Sequence, residues 1–382
     1  MFKNKIYKYF TIEILKSFAT ILFAFTIIAW TVRSVNFLDL IVENGHSIKT
    51  YLSFSILNIS NIITKFIPLS FLLALTLSII KFERQNEFII LWTIGLNKMK
   101  IVNLFFLVSI LILIIQLAFA VFITPNTLNK SRDLIRSSNF DSMNSVIKSN
   151  DFSDSFKSIT FYVESKNENN EMKNIFIRDE TDTFKNLISQ KDNSSNTTIL
   201  AKSGFINKKK LFLFDGIIQS QDSAGQIDNI IFKKTELAID GLTPRVISVP
   251  KMQETPTSIL LRCIYNNNKD NNILFNCPKD GNRKNVVETL SRRIGMPIYI
   301  PVISLICSFL LITNRKKKLG FFSNYIYFIL GFLVLILAEI MVRFSGFSFT
   351  NTIIYFLFPL LLIPVIYLLL VKKLSYEKMK YE

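Results

Sequence analysis

The chain has 382 residues, half of them hydrophobic, with 36 phenylalanines and a mean hydropathy of +0.35. Several uninterrupted apolar runs reach spanning length, which excludes a soluble globular domain and indicates a polytopic membrane protein. The formal net charge of +17 does not point to nucleic acid, because the basic residues sit beside membrane ends and not on one aromatic-interleaved face.

The first apolar run covers residues 14–32 and is predicted to continue as helix to Val42. It starts at a basic end with Lys3, Lys5, Lys8 and Lys16 and lacks a small-residue cleavage site, so it reads as a retained span. The second run covers residues 51–80 and the third residues 101–123. Between them lies KFERQNEFIILWTIGLNKMK (residues 81–100). Its apolar core of about nine residues would reach roughly 14 Å as a helix, under half the roughly 30 Å of a bilayer core. That core cannot span. Bracketed by Glu83, Arg84, Glu87, Lys98 and Lys100, it reads either as an ordinary amphipathic turn between two membrane helices or as a short helix that lies at the interface or docks on a partner. A long polar stretch follows, and then three further runs at residues 294–313, 321–342 and 352–371.

The short loops give the orientation. Lys81, Arg84, Lys98, Lys100, Arg315, Lys316, Lys317, Lys318, Lys372, Lys373, Lys378 and Lys380 share one side with the basic N-terminus. The opposite side offers residues 43–51, whose only cation is Lys49, and the uncharged residues 345–351. The positive-inside rule therefore places both termini in the cytoplasm and the polar insertion outside.

That insertion reads as β-structure. Strand-like runs occur at 158–164, 174–178, 197–202, 210–214, 216–221 and 227–233, separated by turn clusters such as 192–196 and 223–225. The fold class is thus an α-helical polytopic membrane protein, six helices split three and three, with an inserted jelly-roll-like β-domain. Cys263 and Cys277 lie on the oxidising side, either bridged or as two thiols; Cys307 falls mid-span as a packing residue.

Catalytic motifs are lacking. No G-x-x-x-x-G-K-[S/T], G-x-S-x-G or H-E-x-x-H occurs, and the single histidine, His46, leaves no histidine pair for a metal site. What remains is polar residues at membrane depth, which by default suggest a substrate path. Asn58, Asn61 and Lys65 recur at helical spacing in the second span, Arg33 ends the first, and Glu339 and Arg343 are spaced to pair in the fifth. Lys130, Arg132, Arg136, Arg292 and Arg293 add a juxtamembrane set suited to phospholipid contact or to capture of a phosphorylated amphiphile. The candidate substrate residues are Arg33, Lys65, Arg132, Arg136, Arg292, Arg293 and Arg343.

This layout resembles the permease subunits of the lipopolysaccharide exporter, the LptF/LptG family. The similarity rests on EFIILWTIGLNK (residues 87–98) and on ITFYVESK…IFIRDE (159–180). ILAKSGF (199–205), LFLFDG (211–216) and Glu288…Arg292/Arg293…Pro297 at the fourth span add to it. The wording GLNK and RRIGMP is closer to an LptF-like member. The resemblance implies a non-enzymatic half of an ABC transporter with no cofactor of its own, ATP being used by a partner. Implied partners are a paralogous LptG-like permease, a cytoplasmic LptB-like ATPase dimer and periplasmic LptC/LptA-like β-proteins, with lipopolysaccharide as cargo. Residues 83–97 would be the coupling helix, with Glu87, Leu91 and Gly95 at the ATPase interface. The chain would divide into residues 1–124, 125–287 and 288–382. The competing readings are a non-transporting inner-membrane scaffold whose β-domain binds a protein, and an intramembrane hydrolase or acyltransferase acting on lipids.

Overall fold

The computed structural model describes residues 5–38, 47–138, 149–156, 159–167, 171–180, 194–207, 210–222, 227–238, 252–265, 283–312 and 320–381. They fall into two compact units: residues 1–32, 57–129 and 251–382 in the first, residues 33–56 and 130–250 in the second.

Among the described residues six helical stretches are long and apolar enough to cross a membrane, matching the six expected spans. The first is α1 (Lys5–Asn36); it ends short of the expected Val42, with Phe37 and Leu38 in a turn, and residues 39–42 lie outside the described residues. The second joins α2 (Ile48–Leu57) to α3 (Ile59–Arg84), and the short α4 (Glu87–Thr93) follows. The third comprises α5 (Lys98–Ala118), a π-turn (Phe119–Ile123) and α6 (Thr124–Ser138). After the β-domain come α7 (Thr257–Tyr265), α8 (Arg283–Ser308), α9 (Gly320–Ser345) and α10 (Phe349–Tyr381).

Helix α8 is the axis of the first unit. In its most apolar stretch 78% of residues are buried within the chain, against 17% for α1 and for α10. It packs on α3, α5, α9 and α10, and these neighbours make its two internal prolines, Pro297 and Pro301, tolerable. Gly295 lets α10 close in, since a Cβ there would lie 2.2 Å from Cε1 of Tyr355. One turn further on, the Tyr299 hydroxyl donates to the Tyr355 carbonyl at 3.1 Å. Such small-residue contacts and interhelical hydrogen bonds hold helices together where the hydrophobic effect cannot distinguish lipid from protein. Hydroxyls serve the same purpose between α3 and α6, where Ser60 bonds Thr127, and Thr64 bonds Thr124 at 2.7 Å. Cys307 is buried beside Thr76 at 3.5 Å, as a packing residue should be. Cys263 is disulfide-bonded; its expected partner Cys277 lies outside the described residues.

The second unit contains one six-stranded antiparallel sheet in the order β1 (Asp151–Phe156), β2 (Ile159–Lys166), β3 (Glu171–Asp179), β4 (Ser194–Asn207), β5 (Lys210–Asp222), β6 (Ile227–Ala238). The inserted β-domain is as expected. Its described strands run as an up-and-down meander, however, and lack the Greek-key crossing of a jelly roll. The expected break at Asp215–Gly216 is not a turn. Strand β5 continues through it in constant register with β4 and β6, while Asp215 takes φ +48° and Gly216 lies against the Leu200 carbonyl, 2.2 Å from where a Cβ would be. The kink inverts the pleat. Leu211 and Leu213 are buried before it, Ile218 and Ser220 after it.

The chain returning from the sheet is fastened to α8 by Arg293, which is only 6% exposed. Its Nη1 donates to Thr257 Oγ1 at 2.7 Å, and Nη2 points at the carbonyls of Thr255, Gln253 and Met252 at 2.9, 3.0 and 3.3 Å. Thr257 in turn donates to the Val121 carbonyl in the π-turn at 2.9 Å. One guanidinium thus ties the end of the third span, the return helix and the fourth span together. Replacing Arg293 with Met leaves these acceptors without their donor and is expected to cost roughly 2–4 kcal/mol. A lower unfolding temperature in detergent and new proteolysis near residues 252–265 would register it; Arg293→Lys, with one compact donor group, recovers only part.

Candidate functional site

Two places on the first unit combine charge with exposed apolar surface. The larger is a groove of about 980 Å³ between α3, α8 and α9. Lys284, Glu288, Arg292 and Met296 follow at four-residue intervals, so a single face of α8 supplies one wall. Helix α9 supplies the other, with the apolar Phe332, Ile336, Ile340 and Phe344 beside Glu339 and Arg343. Lys65 stands on α3. Four cations face two carboxylates over an apolar wall, which is the chemistry of a pocket for an anionic head group carrying hydrocarbon chains.

The cations differ in what they already hold. Arg292 donates from Nη1 to Glu339 at 2.5 Å and from Nη2 to Glu288 at 3.3 Å. The spacing of Glu339 and Arg343 suggested that those two pair; instead Glu339 is taken by an arginine from a neighbouring helix. Arg343 is exposed and has no ion pair among the described residues. Lys284 lies 3.5 Å from the centroid of the Phe347 ring, a close cation–π contact. Lys284 escaped the sequence reading, although its four-residue spacing to Glu288 and Arg292 was there to be seen.

Of the sequence candidates, the groove gathers Lys65, Arg292 and Arg343. Arg293 is not among its lining residues, because its guanidinium is occupied by the return segment. Arg33, half-buried in the last turn of α1, belongs to the second unit, as do Arg132 and Arg136 on α6.

The second place is α4, shorter than the expected residues 83–97. Its N-cap Asn86 is left-handed at φ +58°. Its end is a Schellman motif: Leu96 N–H bonds the Leu91 carbonyl, Gly95 N–H bonds the Trp92 carbonyl, both at 3.0 Å, and Gly95 takes φ +84°. The inner face is aromatic. Phe10 of α1 meets Phe82 edge-on at 4.5 Å and stacks on Phe88 at 5.9 Å, and Trp92 stacks on Phe88 at 5.8 Å. Leu91 is buried in the same cluster. Glu87 accepts from the Tyr9 hydroxyl at 3.0 Å, and Glu13 on α1 pairs with Lys81 on α3. The large apolar side chains left exposed on α4 and its C-cap are Ile90 and Ile94, 56% and 72% exposed, which the sequence reading did not single out. A shallow groove of about 340 Å³, lined by Lys5, Ile6 and Tyr9 among others, runs beside them.

A family model described as lipopolysaccharide export system permease LptF/LptG matches residues 8–373. Comparison with curated individual proteins gives no match. The family match does not separate LptF-like from LptG-like members, but it carries a permease role in lipopolysaccharide export, that of a transporter and not a classical enzyme, in the inner membrane. Covering all six spans and the inserted sheet, it establishes that this chain belongs to the LptF/LptG family of lipopolysaccharide export system permeases.

Proposed function

We propose that this chain is one permease half of an ABC transporter that takes lipopolysaccharide from the inner membrane and hands it to a periplasmic β-protein bridge. In this reading both termini and α4 are cytoplasmic and the β-domain is periplasmic, in line with the distribution of Lys and Arg among the short loops. A paralogous permease pairs with it, and a separate ATPase dimer consumes ATP. The observation that carries the proposal is the groove between α3, α8 and α9, lined by four cations and an apolar wall. Arg33, Arg132 and Arg136 are proposed as further phosphate contacts. A photoreactive residue at Ile340 or Phe344 is expected to capture lipopolysaccharide in cells, whereas one at Leu368 on α10, 66% exposed, captures bulk phospholipid. Equal capture at all three positions contradicts the site.

Helix α4 supports the ATPase partnership. A helix of seven residues is not stable alone, and this one leaves two isoleucines open that a protein groove would cover. Ile90→Asp with Ile94→Asp is expected to abolish co-purification of the ATPase while the spans remain folded. Glu87→Lys forfeits the Tyr9 bond and is expected to uncouple ATP hydrolysis from lipid release. A Cβ at Gly95 would meet no atom within 4 Å, so Gly95→Val strains chiefly the left-handed backbone. Assembly and export at parental levels in all three variants would remove the docking role.

The sheet supports the bridge. Among the described strands β1 and β6 are edges, and β6 exposes Ile227, Ile230 and Ile231, the last 81% exposed. Open edges take up further strands. Cysteines placed along β6 are expected to crosslink to a partner β-domain in a transport-competent complex; if neither β6 nor β1 crosslinks and export survives deletion of the domain, the sheet is a spacer.

A further inference from the structure

The groove contains its own competitor for the anion it is proposed to bind. Arg292 is the central cation of the α8 wall, and both of its outer nitrogens are engaged by carboxylates: Nη1 by Glu339, Nη2 by Glu288. The three side chains are partly exposed, 35% for Arg292, 37% for Glu339 and 27% for Glu288. Exchange of one anion for another at such a site does not require a charge to be stranded in a dry interior.

Glu339 also has somewhere to go. It lies four residues before Arg343 on α9, the acid preceding the base, which is the favourable order for an i,i+4 pair. Arg343 is exposed and has no ion pair among the described residues. We propose that Glu339 is an exchangeable counter-ion: it holds Arg292 while the groove is empty and swings to Arg343 when a lipid phosphate takes Arg292. Resting on the reading of the groove as a lipid phosphate site, this adds a specificity device to it. A ligand must outbid a carboxylate to enter, so a dianionic phosphate is admitted where a zwitterionic phospholipid, whose own ammonium already neutralises its phosphate, is not. The swap also removes the Arg292–Glu339 ion pair between α8 and α9, which remain packed on one another.

The test uses the full-length chain, purified with the subunits that accompany it, in phosphatidylcholine nanodiscs. The probe is fluorescent bisphosphorylated lipid A, displaced by its unlabelled form, by dephosphorylated lipid A and by inorganic phosphate. Glu339→Gln is expected to tighten binding roughly three- to tenfold, the range expected for releasing one partly exposed charge pair. Glu288→Gln, across the longer contact, acts in the same direction and more weakly. Arg292→Gln weakens binding, and in Arg292→Gln/Glu339→Gln the gain from Glu339→Gln disappears, the non-additivity that marks a direct pair. Should Glu339→Gln lower the yield of folded protein, Glu339→Asp replaces it: the shorter acid cannot keep the contact, and the same tightening is expected. Unchanged or weaker binding in the Glu339 variants, with Arg292→Gln still impaired, overturns the counter-ion while leaving the site. Parental binding in both Arg292→Gln and Arg343→Gln overturns the site itself. Displacement by inorganic phosphate as effective as by lipid A overturns the lipid as the source of the phosphate.

Discussion

Two adjacent arginines on the buried fourth span organise the membrane unit. Successive residues on an α-helix point roughly 100° apart, so Arg292 and Arg293 face different surroundings although their chemistry is the same. Arg293 is dry, 6% exposed, and consumed by three backbone carbonyls and a hydroxyl. Arg292 is partly exposed and held by two carboxylates. The difference in neighbours divides the labour. Backbone carbonyls fixed by a return helix cannot swing away, so Arg293 is a permanent fastening; carboxylates on flexible stems can, so Arg292 can change partners. The fastening keeps α8 in place against the π-turn of the third span, and that fixed position gives the groove its stable wall.

The same contrast between fixed and exchangeable contacts recurs at α4. Phe10, Phe82 and Phe88 interlock three elements, α1, α3 and α4, and the Glu13–Lys81 ion pair joins α1 to α3 beside them. With Leu91 buried and the Schellman turn closing at Gly95, α4 has no independent freedom. Under the proposed docking, a push on Ile90 and Ile94 would reach the first and second spans together. Glu87, expected at a partner's surface, spends its carboxylate on Tyr9, which makes it a latch between α4 and the first span.

Much of this was legible in the sequence, for reasons that explain the remainder. The six spans follow from apolar runs, because a bilayer imposes length and leaves little room for ambiguity. Four of the strand runs carried strong β-patterning and appear at their expected places. Strand β1, DFSDSF, has no apolar alternation; it exists because β2 offers an edge to pair with. The Asp-Gly dipeptide at 215–216 is a common hairpin signal, yet flanking strands on both sides held the register through it. Spacing along one helix suggested Glu339–Arg343, and could not reveal that α8 brings Arg292 within 2.5 Å of the same acid. Leu91 and Ile90 are both apolar in a short apolar run. Which of them faces inward is decided by a cluster that includes Phe82 and, from far earlier in the chain, Phe10.

A site that must release its cargo cannot be built from cations alone. Four basic side chains around a bisphosphorylated head group in a partly dehydrated groove would retain it, since charge-assisted contacts strengthen as water leaves. Retention defeats a permease, whose substrate has to move on with each cycle. Placing Glu288 and Glu339 within reach of the central arginine lowers the gain from phosphate binding by the strength of the contacts that binding must first break. In the proposed site it would also supply a resident anion to reclaim Arg292 on departure. The two glutamates would reduce affinity without removing the positive guidance that Lys65, Lys284 and Arg343 would give to an approaching anion. Under that proposal, capture by the surrounding positive charge and release by the two carboxylates would come from different residues.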